Sequence, residues 1–269
     1  MHVLLTNDDG IFAPGLASLH RVLAVLHRVS IVAPDRERSA VSHSITLHHP
    51  LRAHRISGNG DGDCPRWSVS GTPADCVKLG LAEILRPPPD LVIAGINPGE
   101  NVGASIHYSG TVAAAREAAL FGIPAISVSM QGHRCAHMET AARFIAFLAE
   151  HVHRRGLPFG TILNVNLPDL PADRISGVRI SRQSIGRMEE AFEKRVDPRN
   201  REYYWFGPDP QQFGTDVDVD GAALENCYIS ITPIRCDTTD YTVLEELKDW
   251  NLTMGDAVVQ TGRDGEREA

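Results

Sequence analysis

Adjacent oxygen-bearing side chains near the amino terminus are the first candidates for chemistry. Asn7, Asp8 and Asp9 follow an apolar run at residues 3–5 and precede Gly10. An unbroken apolar run is typical of a strand covered on both faces, as in a parallel sheet. Neighbouring side chains of a strand point to opposite faces, so the two carboxylates converge only if the strand has ended. Gly10 permits a sharp turn there.

Charge repulsion makes the pair of Asp8 and Asp9 unfavourable unless a partner compensates it. A divalent cation between two close carboxylates removes the conflict. Oxygen ligands suit Mg²⁺, Mn²⁺ or Ca²⁺ better than zinc. An isolated Asp-Asp-Gly is also typical of a turn with a helix cap, so the metal interpretation depends on the rest of the chain.

A second polar segment, residues 35–44, follows the next apolar run at residues 30–33. Between the two runs, leucines at helical spacing after Pro14 predict a helix that reaches Leu26. The chain therefore opens β-α-β, the signature of a parallel sheet. The second segment offers hydroxyl groups, although its Ser39 is equally typical of a solvated loop and its charged run at 36–38 of a solvated surface.

A third polar segment follows the buried strand predicted over residues 90–95. It carries Asn97 and Asn101 and leads to Ser109, Gly110 and Thr111 before an alanine-rich helix. A helix start offers unpaired N–H groups and the positive end of the helix dipole, so these residues predict a phosphate site. The alternative is that Ser109 caps the helix, Gly110 shapes the loop and Asn97 is a turn residue.

All three segments follow predicted strands. In a doubly wound sheet such loops converge on one edge, where ligands bind. We expect Asp8, Asp9, a hydroxyl of the second segment and an amide oxygen of the third to hold one hard cation, with water and substrate as further ligands. The chemistry that follows is metal-assisted phosphomonoester hydrolysis, with Asp8 or Asp9 accepting the proton of the attacking water.

The remaining sequence predicts a core, residues 1–175, and an extension, residues 176–269. Core strands are expected at 45–56, 66–70, 123–129 and 161–167, with a turn at 58–63 and helices after Pro73 and over 138–152. The extension is polar and aromatic over residues 179–213, and then carries a strand at 227–234 and a short final helix. We expect this extension to pack on the core or on a neighbouring subunit.

Composition narrows the class of protein. The 269 residues are 42% hydrophobic and 22% charged, as in an ordinary globular chain. A net charge of −8 argues against binding a nucleic-acid polymer or an anionic membrane. The five cysteines form no Cys-x-x-Cys pair, which favours reduced thiols and the cytoplasm. We find neither an apolar run of membrane-spanning length nor a signal-peptide pattern.

Five motifs in order along the chain together resemble the SurE family of metal-dependent 5′(3′)-nucleotidases. They are Asn-Asp-Asp-Gly at 7–10, Pro-Asp-Arg with Arg-Ser at 34–39, Gly-Thr-Pro-Ala-Asp-Cys-Val at 71–77, Gly-Ile-Asn at 95–97 and Tyr-Ser-Gly-Thr-Val at 108–112. Residues 194–199 and 203–205 resemble the long hairpin of that family.

The resemblance implies a Rossmann-like three-layer core with a mostly parallel sheet. It implies one divalent cation, Mg²⁺ or Mn²⁺, held by Asp8, Asp9, Ser39 and Asn97, and substrate phosphate near Asn97, Asn101, Ser109, Gly110 and Thr111. The implied reaction is hydrolysis of nucleoside monophosphates, in some members also of short polyphosphate. The implied assembly is a homodimer or homotetramer in which the carboxyl-terminal extension reaches a neighbouring subunit.

Two departures from the family pattern lie beside the expected site. Ala94 stands where serine commonly precedes Gly-Ile-Asn, and residues 104–105 replace a stretch that is often acidic. They bear on substrate preference and rate more than on metal binding. Other functions remain open: an aspartyl-phosphate enzyme, or a non-catalytic nucleotide-binding regulatory module. A dinucleotide oxidoreductase is disfavoured because no Gly-x-Gly-x-x-Gly follows the first strand.

Overall fold

The computed structural model describes residues 1–56, 64–186, 192–207 and 213–253. The turn predicted at residues 58–63 lies outside these ranges. The chain forms two compact units, Met1–Cys236 and Asp237–Ala269.

The strands and helices alternate along most of the first unit. The strands are β1 (His2–Thr6), β2 (Arg28–Pro34), β3 (Ala53–Ile56), β4 (Arg66–Val69), β5 (Leu91–Pro98), β6 (Ala125–Met130), β7 (Thr161–Leu167), β8 (Gly177–Ile180), β9 (Phe192–Val196), β10 (Glu202–Phe206) and β11 (Tyr228–Arg235). The α-helices are α1 (Pro14–Leu23), α2 (Pro73–Leu79), α3 (Gly110–Leu120), α4 (Met138–Arg155), α5 (Asp220–Glu225) and α6 (Tyr241–Lys248). A π-helical turn, Gly80–Ile84, continues α2, and a 3-10 segment, Gly103–His107, precedes α3.

Nine strands form one sheet in the order β3, β4, β2, β1, β5, β6, β7, β11, β8. The run from β4 to β7 is parallel, whereas β3 and β11 are antiparallel to their neighbours β4 and β7. The order reverses on either side of β1, which is the switch point where doubly wound sheets place their ligands. Strands from beyond residue 175, β8 and β11, belong to this same sheet.

Helices cover both faces of the sheet and make the core three-layered. On one face, α1 and α4 bury leucine and alanine side chains such as Leu16, Leu19 and Ala142 in one apolar cluster. On the other, α2 and α3 bury Val77 and Val112 in a second cluster. This arrangement confirms the predicted α/β class and mostly parallel sheet.

Two elements are shorter than the sequence pattern predicts. Helix α1 ends at Leu23, and Leu26 is 78% exposed although it continues the leucine spacing. Of the strand predicted at 45–56, only Ala53–Ile56 pairs in the sheet. The backbone N–H and the hydroxyl of Thr46 donate instead to the carboxylate of Asp75, at 3.1 and 2.6 Å. This tertiary contact overrides the local strand propensity.

The hairpin of β9 and β10 forms a separate two-stranded sheet whose residues are exposed. Across the two strands, the ring centroids of Phe192 and Phe206 lie 4.9 Å apart, with the rings tilted by 41°. In the second unit, α6 begins after Asp240, whose carboxylate accepts the N–H groups of Thr242 and Val243. The role of the extension in assembly stays a prediction. Among the described helices, none has the length and apolar character to cross a bilayer.

Candidate metal and phosphate site

The turn after β1 is built by Asn7 and Gly10. The side-chain nitrogen of Asn7 donates to the Gly10 carbonyl at 3.0 Å, and its oxygen accepts the Gly10 N–H at 3.2 Å. Gly10 has a φ of +103°, and a Cβ there would lie 3.2 Å from the carbonyl carbon of Arg36. Asn7 is therefore committed to shaping the turn, which leaves Asp8 and Asp9 as the candidate ligands in this segment.

Asp8 meets the start of α3. The carboxylate is 6% exposed and accepts a hydrogen bond from the hydroxyl of Thr111. A Cβ on Gly110 would lie 3.0 Å from both Cβ and Oδ2 of Asp8, so a side chain here would force this close approach to widen by a few tenths of an ångström. The first and third polar segments, separated by about a hundred residues of sequence, thus lie in contact.

The second polar segment is tied to both of the others. The N–H of Arg38 donates to the Asp8 carbonyl at 2.7 Å. The N–H and the hydroxyl of Ser42 donate to the carbonyls of Tyr108 and His107, at 3.0 and 2.7 Å. Ser39 itself is exposed, and its hydroxyl donates to Glu37 Oε1 at 2.6 Å.

Asn97 lies near the end of β5, at the same edge of the sheet. In the register of β1 and β5, Thr6 lies opposite Ala94, so the residues that follow each of them emerge side by side. The Asn97 amide nitrogen donates to the Gly99 carbonyl at 2.7 Å and to the Pro98 carbonyl at 3.3 Å. Because the nitrogen is committed, the amide oxygen is the atom of Asn97 that is suited to a cation.

The electrostatic environment of Asp8 and Asp9 suits a positively charged ligand. Burial raises the pKa of Asp9 to about 7, with repulsion from Asp8 and Glu37 as further causes. Burial also raises the pKa of Asp8, opposed by the hydrogen bond from Thr111. In the described part of the chain, Asp9 Oδ2 is buried without a hydrogen-bond partner. A buried acceptor left unpaired costs about 1–3 kcal/mol, and a dication would satisfy it.

The donor chemistry at this edge is hard and oxygen-based. Two carboxylates, the Ser39 hydroxyl and the Asn97 amide oxygen are the donors that Mg²⁺ and Mn²⁺ accept. Over the described ranges, no three His, Cys, Asp or Glu side chains are grouped to hold a metal.

Residues 109–111 at the start of α3 were interpreted either as a helix cap or as a phosphate site, and the two are compatible. The Ser109 side chain caps the helix by accepting the Val112 N–H at 3.1 Å. The Thr111 hydroxyl is committed to Asp8, and Gly110 packs against the same carboxylate. The first N–H groups of a helix have no acceptor within that helix, so this end still offers donors beside Asp8. Phosphate binding here remains a prediction.

Asn101 lies deeper than the other candidates. Its amide nitrogen donates to Ser129 Oγ at 2.7 Å, and its backbone N–H donates to Asn166 Oδ1 at 2.8 Å. Its carbonyl accepts from the side-chain nitrogens of Asn164 and Asn166. The structure therefore uses Asn101 to anchor its loop to β6 and β7, and its contact with phosphate stays a prediction.

Several residues that matter here were not singled out from the sequence. Asn164 and Asn166 alternate with apolar residues in β7, and that alternation was the available signal for a polar seam inside the sheet. Glu37, taken as part of a solvated charged run, raises the pKa of both Asp8 and Asp9. No local pattern marks Glu37, because its effect depends on the loop contacts.

The fold and the convergence of these loops define a doubly wound α/β protein with an oxygen-rich candidate site at the carboxyl edge of its sheet. Residues 3–190, more than half of the chain, match the family described as Survival protein SurE. The chain belongs to the SurE family.

Similar proteins extend this likeness over most of the chain. The sequence is 59% identical over 254 residues, 94% of this chain and 99% of the relative, to a protein from Desulfatibacillum aliphaticivorans named 5′-nucleotidase SurE. It is 45% identical over 250 residues, 93% of this chain and 92% of the relative, to a protein of the same name from Heliobacterium modesticaldum. The crystal structure of the SurE protein from Aquifex aeolicus matches with a TM-score of 0.82 and 38% identity, covering 94% of this chain and 100% of that one. The predicted family and fold are confirmed.

Proposed function

We infer that this protein is a divalent-metal-dependent phosphohydrolase, a 5′-nucleotidase that cleaves nucleoside monophosphates to nucleoside and inorganic phosphate. Relatives named 5′-nucleotidase SurE, at 59% and 45% identity over more than nine tenths of the chain, support this function. The observation that carries it is the contact between Asp8 and the start of α3, with the unpaired oxygen of Asp9 beside it. Nucleoside 3′-monophosphates and short polyphosphates are included in the proposed substrate range.

We propose Asp8, Asp9, Ser39 and Asn97 as the ligands of one Mg²⁺ or Mn²⁺ ion. A bound dication of this kind withdraws charge from the phosphoryl oxygens and lowers the pKa of a bound water. The buried, unpaired Asp9 oxygen and the committed amide nitrogen of Asn97 support this ligand set. Ser39 supports it through its position, since the same loop is bonded to Asp8 by Arg38.

The chain's own groups hold the substrate and move the proton in this proposal. The Gly110 N–H and the Ser109 hydroxyl bind the phosphoryl oxygens, Thr111 holds Asp8 beside them, and the helix dipole stabilises the negative charge of the transition state. Asp8 is oriented by Thr111, whereas Asp9 keeps an oxygen to which none of the described residues donates. One of these two carboxylates accepts a proton from the attacking water as the water oxygen bonds to phosphorus, and that proton passes on to the nucleoside oxygen as its bond to phosphorus breaks. Asn101 supports phosphate binding through the backbone of its loop.

We propose that the enzyme is cytoplasmic and acts as a homodimer or homotetramer. Residues 176–269 form the extension that meets a neighbouring subunit in this assembly. The exposed aromatic side chains Tyr204, Trp205 and Phe206 on β10 support a contact of that kind.

Replacement of Asp8 tests the function directly. We expect Asp8→Asn to lower kcat for nucleoside monophosphates by about a thousandfold with Mg²⁺ or Mn²⁺, measured as inorganic phosphate release, because both cation binding and the link to α3 weaken. Asp173→Asn, the same change at an exposed position, is the matched control and keeps wild-type turnover.

The regulatory alternative gives a different result. A non-catalytic nucleotide-binding module binds nucleotide without releasing phosphate. Adding a chelator therefore does not change the rate of phosphate release. Wild-type protein that binds nucleoside monophosphates but shows no chelator-sensitive phosphate release would overturn the proposed function in favour of that module.

A further inference from the structure

Gly103 lies in the middle of loop 99–109, which connects the proposed metal ligand Asn97 to the start of α3. Both backbone polar groups of Gly103 are held by side chains from beyond residue 175. Its N–H donates to Asp220 Oδ2 at 2.9 Å, and its carbonyl accepts from Gln183 Nε2 at 2.8 Å. One residue between two proposed ligand groups is thus fixed from two directions.

Asp220 is a carboxylate with no exposed surface, at the first position of α5. Its Oδ1 accepts the N–H groups of Ser184 and Gly221, at 3.0 and 2.8 Å, and its Oδ2 accepts that of Gly103. Burying a carboxylate is costly unless its oxygens are hydrogen-bonded, and three N–H donors meet that need. Of the Oδ1 bonds, that from Gly221 is local and that from Ser184 spans 36 residues, whereas the Oδ2 bond reaches 117 residues back along the chain.

Gly103 sets the path of the chain into α3. It has a φ of +56° and begins the 3-10 segment Gly103–His107, which leads through Tyr108 to the cap Ser109. The far end of the segment is held by Ser42, which bonds His107 and Tyr108. The placement of residues 109–111 therefore depends on Gly103 at one end and Ser42 at the other.

We propose that Asp220, together with Gln183, is a positioning residue for substrate binding: the two side chains fix loop 99–109 so that the start of α3 meets the phosphate of a nucleoside monophosphate. The proposal rests on the proposed function and extends it to two residues that do not touch the substrate. Neither side chain bonds the turn at residues 7–10 or the loop at 35–39. Loss of the contact therefore weakens phosphate binding more than cation binding.

The test compares three variants of the full chain. Asp220→Asn keeps the shape of the side chain, but its amide NH₂ group then faces backbone N–H groups that need an acceptor. Gln183→Ala removes the hydrogen bond to the Gly103 carbonyl. Ser181→Ala is the matched control, because Ser181 is buried and its hydroxyl lies 2.6 and 2.8 Å from the hydroxyls of Ser230 and Thr232. The control loses buried hydrogen bonds near Gln183 without touching the loop.

We expect Asp220→Asn to raise KM and the inhibition constant of inorganic phosphate by about tenfold, and Gln183→Ala by about threefold. The concentration of Mn²⁺ that gives half-maximal activity stays within about twofold of wild type in both variants. Ser181→Ala lowers Tm and leaves KM unchanged. A fall in Tm for Asp220→Asn and Gln183→Ala with wild-type KM and phosphate inhibition would reduce Asp220 to a purely structural role and overturn the proposal.

Two further outcomes are separable. If Asp220→Asn does not fold, Gln183→Ala decides, because Gln183 is neutral and partly exposed. If wild-type protein hydrolyses no nucleoside monophosphate, the proposed function fails, and amide hydrogen exchange over residues 103–109 tests the contact without turnover. Exchange faster in the two variants than in Ser181→Ala supports the proposal, and equal exchange contradicts it.

Discussion

Two buried carboxylates, Asp9 after β1 and Asp220 at the start of α5, are in opposite situations. Asp220 is enclosed and each of its oxygens accepts backbone N–H groups. Asp9 is partly buried beside Asp8 and keeps one oxygen with no donor among the described residues. Burial raises the pKa of both, but at Asp220 three N–H donors oppose the shift, whereas at Asp9 the repulsion from Asp8 and Glu37 adds to it. A satisfied carboxylate holds structure together, and an unsatisfied one marks a place for a ligand.

The largest expected effect is a stability change of opposite sign in the metal-free protein. Asp220→Asn leaves backbone donors unpaired and lowers the free energy of unfolding by about 2–3 kcal/mol. Asp9→Asn removes an unsatisfied buried charge and raises the free energy of unfolding by about 1–2 kcal/mol near neutral pH. Chemical denaturation in the presence of a chelator measures both. If Asp9→Asn destabilised the protein as much as Asp220→Asn does, the distinction between an unsatisfied and a satisfied carboxylate would be wrong.

The pH dependence of the metal-free protein sharpens the same contrast. The folded pKa of Asp9 is about 7, against 3.8 for the free group, so between these values the folded state binds more protons than the unfolded state. The free energy of unfolding contributed by Asp9 therefore falls as pH rises from about 4 to 7, and Asp8 acts in the same direction. Excess Mn²⁺ replaces the proton on these carboxylates. We therefore expect Mn²⁺ to raise Tm more at pH about 8 than at pH about 5.5.

Asp9→Asn is the control for this pH effect. In that variant we expect a flatter dependence of Tm on pH in chelator and a smaller gain with Mn²⁺. A wild-type Tm that rises steadily with pH across this window in chelator would contradict the assignment of Asp9 as the unsatisfied group.

The smallest effect concerns the contact that joins Asp8 to α3. In Gly110→Ala the new methyl group would lie 3.0 Å from Asp8 and 3.2 Å from Pro73 Cγ, so the helix start must shift by a few tenths of an ångström. We expect a stability loss of about 1 kcal/mol and a fall in kcat/KM of about tenfold. Gly186→Ala, with nothing within 4 Å of the added carbon, is the matched control. Equal activity of the two variants would show that the contact is not needed for turnover.

Local chemistry explains which parts of the site were predictable. The turn at Gly10, the cap at Ser109 and the apolar strands each depend on residues close in sequence, and the structure bears out their forms. The roles of Glu37 and Asp220 depend on contacts between distant segments, so no local pattern marks them. Asn7 was not among the expected ligands, and its side chain is committed to its own turn. The truncated strand at 45–56 was lost to the contact of Thr46 with Asp75.

The place of β11 in the sheet has a consequence for dissecting the protein. β11 pairs with β7 along six residues, from Ser230 to Arg235. A chain cut after residue 175 would retain every proposed cation ligand, yet β7 would become a bare outer strand, a template for self-association. Such a fragment would also lack Asp220 and Gln183, the two side chains that bond the backbone of Gly103. Expressing the amino-terminal portion alone should therefore yield an aggregating polypeptide rather than a minimal catalyst.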